Sequence, residues 1–258
     1  MPNKTSAGFD LINSSLIKQV VHAISLPLTF VINSSISTGV VPDDMKIARV
    51  TPIFKAGDPT IVNNYRPISV LTSFSKIIER VVYIRTVQFL DKYKTLSNNQ
   101  YGFRANHSTT HAIIQIINKK STDLDNFSST TGIFLDLSKA FDTVDHDILL
   151  SKLEYYGIRG VALEWFRSYL SNRQQFVSIN GTQSLPCNIC CGVPQGSILG
   201  PLLFSLYIND FDQSSDILSF ILFADDSNLF YSHHDINVLF DTVNQEMEKY
   251  QPGLKPIS

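Results

Sequence analysis

The chain has 258 residues, 43% of them hydrophobic and 17% charged, with a formal net charge of −2. That length and apolar content support one large domain or two modest ones and exclude a disordered tail, a coiled coil or a disulfide mini-protein. The near-neutral total hides a split: residues 1–130 carry 14 Lys+Arg against 8 Asp+Glu and residues 131–258 carry 7 against 15, a pattern expected when one half meets polyanions and the other cations.

The polar N-terminus lacks the apolar core of a signal peptide. The most apolar early stretch, residues 20–32, is interrupted by His22, Ser25, Pro27 and Thr29 and reads as too short to cross a bilayer. With three cysteines in no regular framework, the expectation is a soluble intracellular protein whose compartment, nucleus or cytoplasm, no address signal decides. Residues 11–24 and 76–90 have helical apolar spacing, and Ile113, Ile116 and Ile117 line one face of a helix that Ser108 or Thr109 would cap. Residues 47–54 are a short apolar run holding Pro52, at best an edge strand, followed by a turn at 55–59. A Ser/Thr/Asp-rich stretch at 125–131 is the expected boundary between a helix-rich, basic first half and the rest.

Beyond it, residues 132–135 read as a buried strand ending at Asp136. Val144, Ile148, Leu149, Leu153 and Tyr156 form a helical stripe stopped by Gly157, and a second helix runs through Trp165, Phe166, Tyr169 and Leu170. Residues 175–179 read as a strand turning at Asn180-Gly181. A glycine- and proline-rich turn at 192–196 precedes an apolar helix at 198–208. Finally, the apolar runs 220–224 and 228–231 flank Asp225-Asp226. The expected fold class is α+β, an antiparallel sheet with helices on one face.

Asp136 and the Asp225-Asp226 pair are the most informative residues. Aspartate pairs usually mark solvated turns, and Phe141 and Asp142 are equally consistent with core packing and helix capping. If the two strands are neighbours, however, three carboxylates converge, and their repulsion is costly unless a cation sits among them. Few carboxylates with no nearby His or Cys match magnesium, which keeps waters and shares substrate phosphates. Two ions about 3.5–4 Å apart would stabilise attacking and leaving oxygens of a phosphoryl transfer.

The segments IFLDLSKAFDTVDHDIL, CGVPQGSILGPLLFSLYIND and FILFADDSNLFY, with VTPIFKAGDPTIVNNYRPISVL and QYGFRANHST before them, resemble in order and spacing the reverse transcriptases of LINE-type (non-LTR) retrotransposons, over residues 3–231. The resemblance implies a right-hand polymerase fold: fingers over 1–130, palm over 131–235 with some finger-like insertion, and a truncated C-terminal segment over 236–258, the thumb absent. It implies RNA-directed DNA polymerase activity with an RNA template, a DNA primer and deoxynucleoside triphosphates as partners, and no membrane or small-molecule cofactor. The metals would be two Mg²⁺ ions, replaceable by Mn²⁺. Asp136, Asp225 and Asp226 match the catalytic, metal-binding carboxylates. Phe141 matches the aromatic gate that rejects a 2′-hydroxyl by clash. Gln195 and Gly196 match the loop approaching the nascent base pair, and Lys55 and Arg66 the cations that grip the triphosphate.

The resemblance fades after Tyr231, where family members continue into a lysine-bearing palm segment, a primer grip and a thumb. Lys249 and Lys255 sit in no such motif, so the expectation is a truncated retrotransposon product. The competing reading is an inactive remnant serving at most as a nucleic-acid-binding scaffold. A metal-dependent phosphodiesterase using the same acids ranks behind both, for want of a placed His or Lys base. Arg104 is open between template contact and a surface ion pair. Cys187, Cys190 and Cys191 lack a fourth zinc ligand and read as small buried residues. His107 and His111 read as capping or surface groups. Trp165, Tyr155, Tyr156, Phe166 and Tyr169 read as core.

Overall fold

A computed structural model describes residues 7–137 and 139–249. In chain order its elements are α1 (Ser14–Thr38), β1 (Ile47–Phe54), β2 (Tyr65–Val70), α2 (Ser73–Lys92), α3 (Thr109–Asp125), β3 (Ser129–Asp136), α4 (His146–Tyr155), α5 (Val161–Leu170), β4 (Arg173–Ile179), β5 (Thr182–Gln183), β6 (Cys187–Ile189), α6 (Gly200–Tyr207), β7 (Ser219–Phe223), β8 (Asp226–His233) and α7 (Ile236–Glu248). α1, α2, α3, α4 and α7 begin on polar caps: the side chains of Asn13, Thr72, Ser108, Asp145 and Asp235 each accept an amide of the first turn that has no partner within the helix.

The chain divides into two compact units, one of Met1–Tyr93 with Lys139–Tyr207 and one of Lys94–Ser138 with Ile208–Ser258. The cut expected near residue 130 falls inside the second unit, between α3 and β3. The charge asymmetry persists across this division, with 15 Lys+Arg against 11 Asp+Glu in the first unit and 6 against 12 in the second.

In the first unit the strands run β2-β1-β4-β5, with β6 also on β4. β1 is antiparallel to β2 and parallel to β4, a departure from the all-antiparallel sheet expected. Pro52 explains how β1 can be internal and still hold a proline. Only residues 47–50 pair with β4, whereas the half containing Pro52 pairs with β2 alone, where Pro52 faces Pro67 and neither can donate to the ladder. α1 continues through Pro27 for 25 residues, well beyond the span that periodicity marks, and ends at Gly39 with φ +72°. By length and composition it is long and apolar enough to cross a membrane, which corrects the reading of residues 20–32. It packs on α5 and α2 through Ile17 and Ile32 and leaves Leu26 and Phe30 exposed. Leu149, Leu153, Leu203 and Phe204 are buried between the remaining helices.

In the second unit the strands run β3-β8-β7, all antiparallel. Alternation sends Phe220, Leu222 and Leu229 to one face with Ile133, Leu135 and Tyr231 beside them. The other face carries Ile221 and Phe230, covered by Ala112 and Ile116 of α3. Two expectations change here. Ala112 and Ile116 form the packed side of α3, while Ile113 and Ile117 are 54% and 59% exposed. And β3 is an edge strand, not a buried one: Phe134 is 70% exposed on the face that carries Asp136, where it meets Phe230 edge-on.

Candidate active site

The second unit places Asp136 at the last position of β3, directly across from Asp226 at the first position of β8. Residues in such register project from the same face, with Cβ atoms about 4.5–5.5 Å apart, and like charges placed so are destabilising. Asp225 belongs to the two-residue loop Ala224-Asp225 that joins β7 to β8 across the Phe223–Asp226 pair. The adjacent aspartates therefore sit in different local settings, Asp225 half-buried in the turn and Asp226 exposed on the strand.

Among the described residues none of these three carboxylates has a hydrogen bond or an ion pair, and no group of three or more His, Cys, Asp or Glu already forms a metal cage. Unpartnered oxygen donors, two of them held side by side, fit a hard divalent cation that keeps part of its water shell. They do not fit zinc, which prefers nitrogen and sulfur.

The first unit contains the other residues singled out in the sequence. Lys55 follows β1, its amide bonded to the Asn64 carbonyl at 2.8 Å, and Arg66 lies across from Ile53 on β2. Both are exposed. Phe141, half-buried, packs its ring against Phe204 at 4.9 Å between centroids. Its carbonyl accepts the Val193 amide at 2.7 Å. Asp142 lines a cleft of ≈ 310 Å³ together with Ser69, Asn188 and Gln195. Partial desolvation raises the Asp142 carboxyl above the usual carboxylate range, and the nearby Lys139 and Lys55 oppose that shift.

Gln195 and Gly196 are pinned from several sides. The Gln195 carbonyl accepts the Ser69 amide at 2.8 Å. Gly196 sits at φ +118° with a Cβ position only 2.6 Å from the Ser69 carbonyl oxygen, so a side chain is excluded both by conformation and by contact. The loop then ends on Glu79, whose Oε2 accepts the Ile198 amide at 2.7 Å while its Oε1 accepts the Tyr169 hydroxyl at 2.9 Å. The Gln195 Oε1 is buried and among the described residues has no partner.

Glu79 was not marked by sequence periodicity, although it stands in a helix stripe where a charge is out of place. It is fully buried, as is Arg173, whose guanidinium lies 4.7 Å from the Tyr169 ring centre. Burial pushes the Glu79 carboxyl up, against the Ile198 amide, the Tyr169 hydroxyl and the Arg173 charge. The same burial raises Tyr169, keeping its hydroxyl a donor.

The remaining residues fall out as follows. Arg104 makes no ion pair among the described residues: its Nη1 donates to the Ser97 and Gln100 carbonyls, closing its own loop. Cys187, Cys190 and Cys191 are exposed rather than buried, because they lie on the edge strand β6 and the turn after it. His107 precedes the α3 cap Ser108 and His111 lies in the helix's first turn, with ring centres 6.4 Å apart. Trp165, Phe166 and Tyr169 are core, but Tyr155 is 83% exposed, since it points away from the α4 stripe. Lys249 pairs with Glu246 at 2.7 Å, and Lys255 lies outside the described residues.

Comparison with known proteins gives the arrangement its family. Residues 53–256 match the family described as reverse transcriptase (RNA-dependent DNA polymerase), a match that continues past Tyr231, where the resemblance was expected to fade. The chain is 32% identical over 253 residues to the probable RNA-directed DNA polymerase from transposon BS of Drosophila melanogaster, covering 92% of this chain and 27% of that protein. It is 35% identical over 211 residues to the RNA-directed DNA polymerase from mobile element jockey of the same fly, covering 81% and 23%. The chain thus spans about a quarter of the length of these relatives. Among solved structures, the apo telomerase of Candida tropicalis truncated from its C-terminal domain superposes with a TM-score of 0.57 at 14% identity, covering 89% of this chain and 52% of that one. Telomerase of Candida albicans in complex with a fragment of telomeric RNA gives 0.56 at 14%, covering 92% and 45%. At that identity the likeness concerns the fold, α+β with fingers and palm. The aspartate-tipped hairpin, the Pro-Gln-Gly loop and the family match over most of its length together make this chain a reverse transcriptase domain of the LINE-type, non-LTR retrotransposon group.

Proposed function

We propose that the chain performs template-directed DNA synthesis on RNA: the primer 3′-hydroxyl oxygen bonds to the α-phosphorus of a deoxynucleoside triphosphate, the bond to pyrophosphate breaks, and the hydroxyl proton is lost. The observation that carries this reading is the cross-strand pair Asp136–Asp226 beside Asp225, held on a hairpin and without a partner among the described residues to balance its charge. In this reading those carboxylates hold two Mg²⁺ ions, or Mn²⁺ in their place. When bound, such ions neutralise charge on the reacting phosphate and lower the proton affinity of the attacking hydroxyl.

The other roles extend the family resemblance to particular side chains. Lys55, just after β1, and Arg66, on β2, are exposed cations that bind triphosphate oxygens. Phe141 discriminates against a ribose 2′-hydroxyl. Its ring is backed by Phe204 and its backbone is tied to Val193, so it cannot easily retreat from a clash. Gln195 and Gly196 meet the template and the nascent pair, the rigid loop allowing backbone to approach closely. The fingers then correspond to residues 1–130 and the palm to 131–235. RNA template and DNA primer are held mainly through their phosphates, so binding weakens steeply with salt.

The test is primer extension by the full chain on an RNA template with a DNA primer and Mg²⁺. Extension that Asp225→Asn abolishes, losing at least a thousandfold, supports the reading. Salt-sensitive nucleic-acid binding without extension, equal in wild type and Asp225→Asn, would instead make the chain an inactive binding scaffold. Phe141→Val is expected to raise ribonucleotide incorporation relative to deoxyribonucleotide by at least tenfold, and an unchanged ratio would remove Phe141 from the gate.

A further inference from the structure

The turn that presents Asp225 is held by a residue that never reaches the reacting atoms. Gln100 is 1% exposed, and its side-chain oxygen accepts two amides at once, Gly102 at 2.7 Å and Ala224 at 3.2 Å. Ala224, the residue before Asp225, sits at φ +56°, a left-handed conformation that disfavours a residue with a Cβ. Such a conformation persists only where its surroundings over-determine it.

The surroundings are a strap of chain from residue 95 to residue 104 laid along the free edge of β7. Leu222 donates its amide to the Asn99 carbonyl at 2.8 Å and accepts the Tyr101 amide at 2.7 Å, so Gln100 pairs with Leu222 in parallel register. The strap is anchored at its base: Asn209 accepts the Ser97 amide at 2.8 Å and donates to the Thr95 carbonyl at 2.9 Å, and Asp212 accepts from Ser97 and Asn99. At its tip the backbone of Gly102 passes so close to Ala224 that a Cβ there would fall 2.1 Å from the Ala224 nitrogen. The Gln100 oxygen lies between these two backbones and joins them. All of these groups belong to the acidic unit, where a neutral acceptor adds no negative charge beside Asp225 and Asp226.

We infer that Gln100 is a positioning residue for the catalytic hairpin: by accepting the Ala224 amide it fixes the left-handed turn, and through it the direction of the Asp225 carboxylate toward a divalent cation. The inference rests on the metal-binding reading of Asp136, Asp225 and Asp226 given above, and its test separates the two. Gln100→Met keeps the side-chain volume and removes the acceptor. Ala224→Gly removes the strain that the acceptor opposes, because glycine adopts positive φ freely.

Two measurements on the full chain decide it: Mn²⁺ binding by titration calorimetry, and exchange of the Ala224 amide by NMR without metal. Gln100→Met is expected to weaken Mn²⁺ binding about tenfold and to speed exchange of the Ala224 amide at least tenfold, with amides of β3 unchanged. In the Ala224→Gly background the same substitution should weaken Mn²⁺ binding less than threefold. A merely structural residue would lower the melting temperature and speed exchange throughout the unit, leaving Mn²⁺ affinity within twofold or reducing it equally in both backgrounds. Either result overturns the inference. Should the wild-type chain bind no Mn²⁺, the metal reading itself fails, and exchange at Ala224 alone then decides whether Gln100 holds the turn.

Discussion

The molecule fixes the two loops that carry the candidate site residues by opposite means. In the basic unit, the loop carrying Gln195 and Gly196 ends on a buried charge: Glu79 takes the Ile198 amide and the Tyr169 hydroxyl, with Arg173 buried nearby. In the acidic unit, the loop carrying Asp225 is held by the uncharged Gln100. Electrostatics explains the difference. A buried carboxylate is tolerable where an amide, hydroxyls and a guanidinium share its charge, but next to three aspartates without a partner among the described residues it would add to a repulsion that the fold already carries. A charged clamp resists rupture strongly and ties the loop to pH. A neutral clamp is weaker and indifferent to pH.

Breaking the charged clamp should have the largest effect. Glu79→Leu leaves the Ile198 amide and the Tyr169 and Ser75 hydroxyls without that acceptor and Arg173 without an opposing charge, and should cost about 3–5 kcal/mol in urea unfolding. A loss under 1 kcal/mol would show that the charge contributes little to holding the loop. A purely apolar reference comes next: Leu203→Ala in the first unit and Leu222→Ala in the second, both fully buried, should each cost about 2–5 kcal/mol. Similar values would show that the units differ in their polar clamps and not in core packing. Gly102→Ala forces backbone apart at the neutral clamp and is expected to cost about 1–3 kcal/mol, by analogy with overpacking. Its effect should concentrate on the 222–226 amides in hydrogen exchange.

The pH response sharpens the comparison further. Burial raises Glu79 above its ordinary value of 4.5, so in the folded chain it keeps its proton to higher pH than in the unfolded chain. Over the window above pH 4.5 and below the raised value, the unfolded state binds fewer protons and stability falls as pH rises. Glu79→Gln should flatten that slope, while Gln100→Met should leave it as it is. An identical slope in the Glu79 variant would locate the titration elsewhere, Asp142 being the other raised carboxyl. The smallest expected effect is Asp235→Ala, which removes the cap of α7, at about 1 kcal/mol and with no change in Mn²⁺ binding.

Much of this was legible in the chain itself, for reasons that differ between residues. Asn180-Gly181 forms the turn expected, with both residues at positive φ, because two-residue hairpins demand it. Gly157 stops α4 for a similar local reason. The aspartate pair flanked by apolar runs does top a hairpin, and its neighbour strand does end in Asp136. Other readings failed where packing decides. Ile113 and Ile117 share a helical face with nothing on it, because α3 meets the sheet through Ala112 and Ile116. Phe134 is exposed because α3 packs over Ile221 and Phe230 and β3 lies at the edge of the sheet. The cysteines are exposed because β6 is an edge. A charge in the α2 stripe and the QYGFR motif mark Glu79 and Gln100 only as unusual; their roles were not legible, since the value of a buried polar group lies in partners that are distant in sequence.

Local patterns, then, determined the elements, their caps and turns, and the five ordered motifs that mark a reverse transcriptase domain, because each depends on residues within a few positions of one another. Which strands lie side by side, the parallel pairing of β1 with β4, the interleaving of two units of opposite charge, and the clamps at Glu79 and Gln100 were decided by tertiary structure. These features join residues up to 127 positions apart, and only the folded chain brings their hydrogen bonds and charges within range.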